Sequence, residues 1–565
     1  MAFLRRNAGL FLIFLFSVFS ILPFFHSGFF SMHDDTQVAR VYEMGKALKD
    51  GMFPVRWVQD LGYGFGYPIF NFYSPLPYYI GGFLTLIGFD ALLATKIVFI
   101  IGIILAGFSM HFFIRGFTGG MAAILAGVLY LYFPYHAVNI YVRGNLDELF
   151  SYALLPLVFL GFYKIFYIVQ EKPLLRNNIQ WIIFSSITLA LVVLSHNLSS
   201  FMLLIFIGLL IILSLFYSKN KIRLLTFYLL ALFLGLLLSS FYIIPALMEM
   251  KYTNVYSQVG GGADYKDHFI CPIQLWDSPW GYGGSAIGCV DGLSFRLGKS
   301  NIILFILSIP LFSYFFIKKK IKDYVFIYFS SSVLFLAASY FVFDISEPIW
   351  KTVPFMPFLQ YPWRFLSFLG LFMGVVIGFS AQQAQVRIDK KIVGLGSIAV
   401  ILLTLFLNIK LFQPQFYYQR NAESYINKQH LNWTTSKISD EYMPVGFSKP
   451  KMESEVPDKP IEILGTGNIN NLLANTGRIS ADINLKENSL VKLNIAYFPA
   501  WKILINGKPQ DYKVGREGLY LNLDKGASKV EARFVQTSTE KMANVLTLVG
   551  ILIIFTAIIK YRTYE

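Results

Sequence analysis

The sequence predicts a polytopic membrane protein, an all-α bundle of about twelve spanning helices with a small external β-sandwich near the C-terminus. Three observations carry this. Of 565 residues, 55% are hydrophobic and 14% charged, against roughly 45–50% and 25% in soluble chains; the mean hydropathy is +0.55. Apolar runs near the ~20 residues that a bilayer core demands recur along most of the chain. Beyond about residue 455 the pattern turns to alternation, as in Val491–Ala496 and Trp501–Ile505, with turn signals at Asn506-Gly507 and Asp524-Lys525-Gly526. An aromatic share of 17% excludes a disordered chain, and the length of the apolar runs excludes an outer-membrane barrel, whose strands alternate over ~10 residues.

The first expected span, Gly9–Phe25, follows Arg5 and Arg6 and has no small-residue cleavage site after it, so it reads as a retained helix. Further spans are expected at 91–114, 120–139, 149–168, 180–195, 199–217, 224–247, 301–317, 322–343, 363–382, 391–411 and 541–560. With this count the basic loops fall on one side: Arg115; Lys172 and Arg176; Lys219, Lys221 and Arg223; Lys318, Lys319, Lys320 and Lys322; Arg387, Lys390 and Lys391; Lys560 and Arg562. The agreement requires Pro75–Phe89, interrupted by Pro77, Gly81 and Gly82, to be interfacial or re-entrant. Both termini are then cytoplasmic in a multi-pass plasma-membrane protein. The domains expected are a membrane region 1–411 with outer loops 27–90 and 248–300, an extracytoplasmic region 412–540 holding a sandwich at about 455–540, and a last helix and tail 541–565. The net charge of +15 is accounted for by membrane sidedness, so no nucleic-acid partner is expected. Two cysteines exclude a disulfide scaffold.

Function is expected in the outer loops. Ser31-Met32-His33-Asp34-Asp35 sets two carboxylates just beyond the first span; either caps the amphipathic run Val38–Leu48, or one is a base for an acceptor hydroxyl at the membrane surface. Tyr141-Val142-Arg143-Gly144-Asn145-Leu146-Asp147-Glu148 holds an acidic pair that suits a divalent cation, Mg²⁺ or Mn²⁺, or else pairs with Arg143. His196 ends a span, as an interfacial residue or a phosphate ligand. Arg364, in Tyr361-Pro362-Trp363-Arg364-Phe365, is a guanidinium braced by aromatics, either as an anchor or where a lipid-linked phosphate would lie. Cys271 and Cys289 are candidates for a disulfide closing a short loop, worth ~3 kcal/mol. The chain contains no G-x-x-x-x-G-K-[ST] and no G-x-S-x-G, and its spans are poor in charge, which tilts against coupled transport.

The order of these features resembles the C-type (GT-C) glycosyltransferase superfamily: one helix, an acidic first loop, the segment Ser74-Pro75-Leu76-Pro77-Tyr78-Tyr79, spans ending at Phe113-Ile114-Arg115 and Tyr132-Phe133-Pro134, then Asp147-Glu148. Tyr63-Gly64-Phe65-Gly66-Tyr67-Pro68, the 268–298 loop, Tyr361–Phe365, Glu441-Tyr442-Met443-Pro444 and Tyr497–Lys502 more closely resemble bacterial YfhO-like membrane proteins and a group labelled after 6-pyruvoyl-tetrahydropterin synthase. That label is not read as an activity, since the soluble synthase needs a zinc-histidine site and the seven His here are scattered. The resemblance implies an inverting glycosyltransferase moving a sugar from a polyprenyl-phosphate carrier to a glycan, lipid or protein acceptor of the cell envelope. It implies Asp34 as base with Asp35 as understudy, Asp147 and Glu148 for metal or donor phosphate, and Arg143, Arg364 and His196 for the departing phosphate. The competing expectation is a non-catalytic lipid-linked-glycan transporter or a polymer-assembly protein.

Overall fold

In a computed structural model, residues 2–171, 175–319 and 324–563 are described. Of the basic loop positions, Lys172, Lys320 and Lys322 lie outside the described residues, as do the side chains of Arg5, Arg6, Arg176, Lys319 and Arg562. Ten helices among the described residues are long and apolar enough to cross a membrane, from Ala8–Phe25 to Ser538–Lys560. The bent pair Gly120–Leu131 and Pro134–Arg143, broken by 47°, makes an eleventh if taken as one span, and Ile179–Ser195 is apolar but shorter. The bend follows from Pro134, which lacks an N–H and drives Phe133 to extended geometry, φ −63° and ψ 131°.

The segment expected to be interfacial forms an eleven-residue helix, Leu76–Leu86, that lies against the amphipathic helix Gln37–Lys49. Glycines permit the close approach: a Cβ on Gly81 would meet Val41 at 2.7 Å and one on Gly82 would meet Met44 at 2.6 Å. The helices Leu146–Gln170 and Pro362–Arg387 are the most enclosed of the spanning set, while Ser538–Lys560 keeps Leu and Ile exposed along most of its length. The outer faces are therefore lipid-compatible and the two central helices form the core.

The C-terminal strands form two antiparallel sheets. One has the order Ile461–Leu464, Ser489–Leu493, Gly518–Leu523, Lys513–Gly515; the other Gly467–Asn475, Arg478–Leu485, Gly526–Phe534, Trp501–Ile505, Lys508–Pro509. Period-2 burial explains their inner faces: Ile479, Ala481, Ile483 and Leu485 from one sheet and Leu519, Leu521 and Leu523 from the other enter one apolar core. Two regions distant in sequence are stitched together by Phe29–Phe30 pairing antiparallel with Tyr417–Tyr418.

Candidate functional site

The N-terminal ends of the two most enclosed helices carry the charged residues, and the local backbone explains why. Residues Val138–Arg143 form a π-helical turn; Gly144 then takes φ 65°, and Asn145 caps the helix Leu146–Gln170 by accepting from Glu148 N at 2.8 Å. Gly144 is required twice over, by its left-handed conformation and because a Cβ would lie 2.2 Å from Met32 Sδ. The bare backbone there lets the first loop dock as an extended strip. His33 N donates to Val142 O at 3.0 Å, Asp34 N to Arg143 O at 2.9 Å, and Gln37 Nε2 to Gly144 O at 3.0 Å. Two loops more than a hundred residues apart are thus held in register by main-chain bonds.

A cavity of about 940 Å³ opens where they meet. Its polar part is lined by His33, Asp34, Arg40, Arg143, His196 and Arg364, and its apolar part by residues that include Leu189, Val193, Leu204, Leu236 and Leu247. Leu204 and Leu247 are also exposed on the outer surface, so the apolar part reaches the face that a bilayer would cover.

The three guanidiniums differ in their partners. Arg143 is buried and ion-paired: Nη1 donates to Glu148 Oε2 at 2.6 Å and to Asn139 Oδ1 at 2.7 Å. Glu148 Oε1 also accepts from Tyr135 OH at 2.6 Å, and the Arg143 guanidinium lies 4.8 Å from the Trp363 ring. Arg40 donates from Nη2 to Ser439 Oγ at 2.9 Å and lies over the Tyr73 ring at 4.1 Å; its Nε has no partner among the described residues. Arg364 is 6% exposed, stacks on Tyr361 at 5.2 Å, and has no partner among the described residues for Nε or Nη1. No carboxylate among the described residues forms an ion pair with Arg40 or Arg364.

His196 heads the helix Asn197–Tyr217 and its Nδ1 accepts from Ser199 N at 3.2 Å, with Ser199 Oγ 2.7 Å away. In the neutral ring the proton consequently sits on Nε2, which is left to donate toward the cavity.

The two first-loop carboxylates separate. Asp34 lines the cavity; Asp35 does not, facing Arg420 at 3.9 Å, and burial pushes its carboxyl up to about 6 against the pull of Arg420. The expected helix cap is absent at both: Gln37–Lys49 is preceded by Thr36, with no side-chain cap. Asp147 and Glu148 do not form the metal site that was expected. Successive helical residues point ~100° apart; Glu148 is spent on Arg143 and Tyr135, while Asp147 Oδ2 lies 3.4 Å from Tyr78 OH, neither residue lines the cavity, and no group of three His, Cys, Asp or Glu gathers among the described residues. A divalent ion held by this pair does not fit. Cys271 and Cys289 are joined in a disulfide with Cα atoms 5.5 Å apart. It ties a loop that roofs the cavity, where His268 Nδ1 and Ser285 Oγ lie 2.8 Å apart and Trp363 Nε1 donates to Ser285 Oγ at 3.1 Å.

A family model described as "6-pyruvoyl-tetrahydropterin synthase related domain; membrane protein" matches residues 70–413. The chain belongs to that family. The matched stretch holds Arg143, Asp147, Glu148, His196 and Arg364, so most of the cavity is family territory, whereas Asp34, Arg40 and Glu441 lie outside it. Over 175 residues the chain is 29% identical to an uncharacterized protein of Lactococcus lactis subsp. cremoris (strain MG1363), covering 29% of this chain and 28% of that protein. Among solved structures it is similar to the Archaeoglobus fulgidus oligosaccharyltransferase in the apo form (TM-score 0.48, 13% identity) and to the same enzyme tethered to an acceptor peptide (TM-score 0.49, 13% identity). It is also similar to the A. fulgidus oligosaccharyltransferase AglB in complex with an inhibitory peptide and a dolichol-phosphate (TM-score 0.44, 12% identity). Each match covers 82% of this chain and 62% of the other. This member of the 6-pyruvoyl-tetrahydropterin synthase related family therefore spans less than two thirds of those proteins.

Sequence reasoning missed Arg40, Tyr73, Tyr78 and Glu441 as parts of the site. Tyr78 and Glu441 stand in segments that carry the family resemblance, and all four residues lie among tyrosines and isolated charges, but a pattern read locally does not join residues 40, 78 and 441.

Proposed function

We propose that the protein is an integral-membrane glycosyltransferase that moves a sugar from a polyprenyl-phosphate carrier to an extracytoplasmic acceptor. The observation that carries this reading is Arg364: a buried guanidinium whose Nε and Nη1 have no hydrogen-bond partner and which forms no ion pair among the described residues, at the wall of a cavity whose other side is apolar and reaches the lipid-facing surface. Such a cation is costly to bury alone. A phosphate at the head of a lipid tail answers it, with the tail along Leu189, Leu204 and Leu247.

In this mechanism Arg364, the open side of Arg143 and the Nε2–H of His196 hold the phosphate. Glu148 keeps Arg143 aimed but neutralises much of its charge, so Arg364 provides the net positive field for the leaving group. Asp34, held by its backbone bond to Arg143 O, faces the bound donor, and among the described residues no hydrogen bond to its carboxylate competes. It accepts the proton of an acceptor hydroxyl as that oxygen attacks the anomeric carbon; the bond from that carbon to the phosphate oxygen breaks, and polyprenyl phosphate departs with the electron pair. One displacement inverts the anomeric centre, and no step is routed through a metal.

The test is transfer of radiolabel from polyprenyl-phosphate sugars in membranes carrying wild type, Asp34→Asn or Asp35→Asn, matched for insertion. Asp34→Asn is expected to lose about 10²–10⁴-fold in rate and Asp35→Asn to stay within a few fold. Protein-dependent transfer that survives Asp34→Asn would sink the assignment of the base. Absence of transfer with every donor would favour a binding or transport role.

A further inference from the structure

Residues 412–447 fold back over the first loop and deliver a group to the cavity that the mechanism above leaves unused. The crossing is fixed by the pairing of Tyr417–Tyr418 with Phe29–Phe30 and by Tyr442 N donating to Tyr67 OH at 3.3 Å. Ser439, Asp440 and Glu441 thereby reach the cavity wall. Asp440 is spent, accepting from Tyr63 OH at 2.8 Å and pairing with Lys449 at 2.8 Å.

Glu441 is not spent. Its one side-chain donor among the described residues is Ser439 Oγ, 3.1 Å from Oε2 and 3.3 Å from Oε1. That serine oxygen in turn accepts from Arg40 Nη2, so the guanidinium holds the carboxylate through a hydroxyl; with a bond from its own backbone N–H as well, the carboxylate keeps acceptor capacity to spare, since an ionised carboxylate offers about four acceptor positions. Two further groups on the same wall have no partner among the described residues: Arg40 Nε and Thr36 Oγ1, on residues 5% and 2% exposed. Burial pushes the Glu441 carboxyl above its usual range, against the opposing charge of Arg40. Donors and acceptors interleaved beside aromatic faces, here Tyr73 and Tyr442, match a polyhydroxylated ring, whose hydroxyls both give and take hydrogen bonds. An anion is disfavoured there, because Asp34 and Glu441 would repel it, as they would keep the donor phosphate at the Arg364 end.

We propose that Glu441 is the acceptor-binding carboxylate of the cavity, gripping hydroxyls of a carbohydrate acceptor while Asp34 takes the proton from the attacking one. This rests on the glycosyltransferase reading. The experiment uses the full chain, purified in detergent, with a saturating polyprenyl-phosphate sugar and a carbohydrate-bearing membrane extract titrated as acceptor. Glu441→Gln is expected to raise the apparent KM for the extract about tenfold or more, while donor KM and thermal stabilisation by polyprenyl phosphate stay as in wild type. Glu441→Asp, which keeps the charge and shortens the reach, should fall between the two; it also provides the reading if the Gln variant does not fold. An acceptor KM within about twofold of wild type in both variants, or a change confined to donor KM, overturns the assignment of Glu441 alone. A wild type inert with every donor and extract overturns the transfer reading and this one with it.

Discussion

Arg364→Met separates stability from function in opposite directions, and the structure sets both magnitudes. The methionine keeps an apolar stem against Tyr361 and removes a guanidinium that is 6% exposed, with Nε and Nη1 unpaired. Each unsatisfied buried N–H costs ~1–3 kcal/mol, and loss of the stacking contact gives back ~1 kcal/mol. The ligand-free variant should therefore be more stable than wild type by roughly 1–5 kcal/mol. Binding moves the other way. Two charge-assisted hydrogen bonds to phosphate are worth ~1.5–3 kcal/mol each, so the affinity for polyprenyl phosphate should fall at least about 10²-fold. At a ligand concentration of ~100 Kd, wild type gains ~2.7 kcal/mol; a variant binding 10²-fold more weakly gains only ~0.4 kcal/mol at the same concentration. Thermal unfolding in detergent, with polyprenyl phosphate and with uncharged polyprenol as the control, measures both effects. A variant that melts below wild type yet retains the full phosphate-dependent shift would refute the reasoning, since Arg364 would then be a structural cation with partners.

Other outcomes follow from the same contacts. Glu148→Ala leaves Arg143 buried without its 2.6 Å partner and should cost ~3–5 kcal/mol, most of it recovered when Arg143→Met is added; additive losses in the double variant would disprove the coupling. Glu249 accepts from Asn71 Nδ2 at 3.3 Å, and Asn71 also donates to Glu540 Oε1 at 2.8 Å. Burial, with Glu540 adding and Thr537 and Arg56 opposing, pushes the Glu249 carboxyl up to about 7. The folded state thus holds that proton where the unfolded chain, titrating near ~4.3, has released it, so stability should fall as pH rises from about 4.5 through about 7. Melting curves of Glu249→Gln should lack this decline, and curves parallel to wild type across that range would disprove it.

The membrane helices were legible because a bilayer imposes a length and a composition that any window of about twenty residues reveals. The bend at Pro134 and the π-turn before Gly144 were not, since the same apolar run serves a straight or a broken helix and the difference lies in which backbone groups the first loop meets. The charged residues of the site were legible as types and ambiguous as roles. Asp34 and Asp35 are chemically identical neighbours, and what distinguishes them is the extended strip from His33 to Asp34, which turns one toward the cavity and the other toward Arg420. Asp147-Glu148 looked like a pair because adjacency in sequence suggests adjacency in space; on a helix it does the reverse, and Arg143, five residues before Glu148, proved the closer partner. Arg40 and Glu441, some four hundred residues apart, are brought together in the folded chain, bridged by Ser439.

The charge arrangement also favours the proposed catalyst over a carrier on physical grounds. A protein that merely bound or moved a lipid-linked glycan would need a cation for the phosphate and an apolar path for the tail, which Arg364 and the leucine-lined wall supply. A carboxylate in the same cavity with no side-chain partner among the described residues serves such a carrier poorly, because its charge weakens the hold on the phosphate. Asp34 is such a group: its backbone is fixed to Arg143 O at 2.9 Å, yet it forms no ion pair among the described residues. In the proposed transfer Asp34 takes up the acceptor proton while Arg364 meets the departing phosphate, so each of the two charges has a use in the reaction.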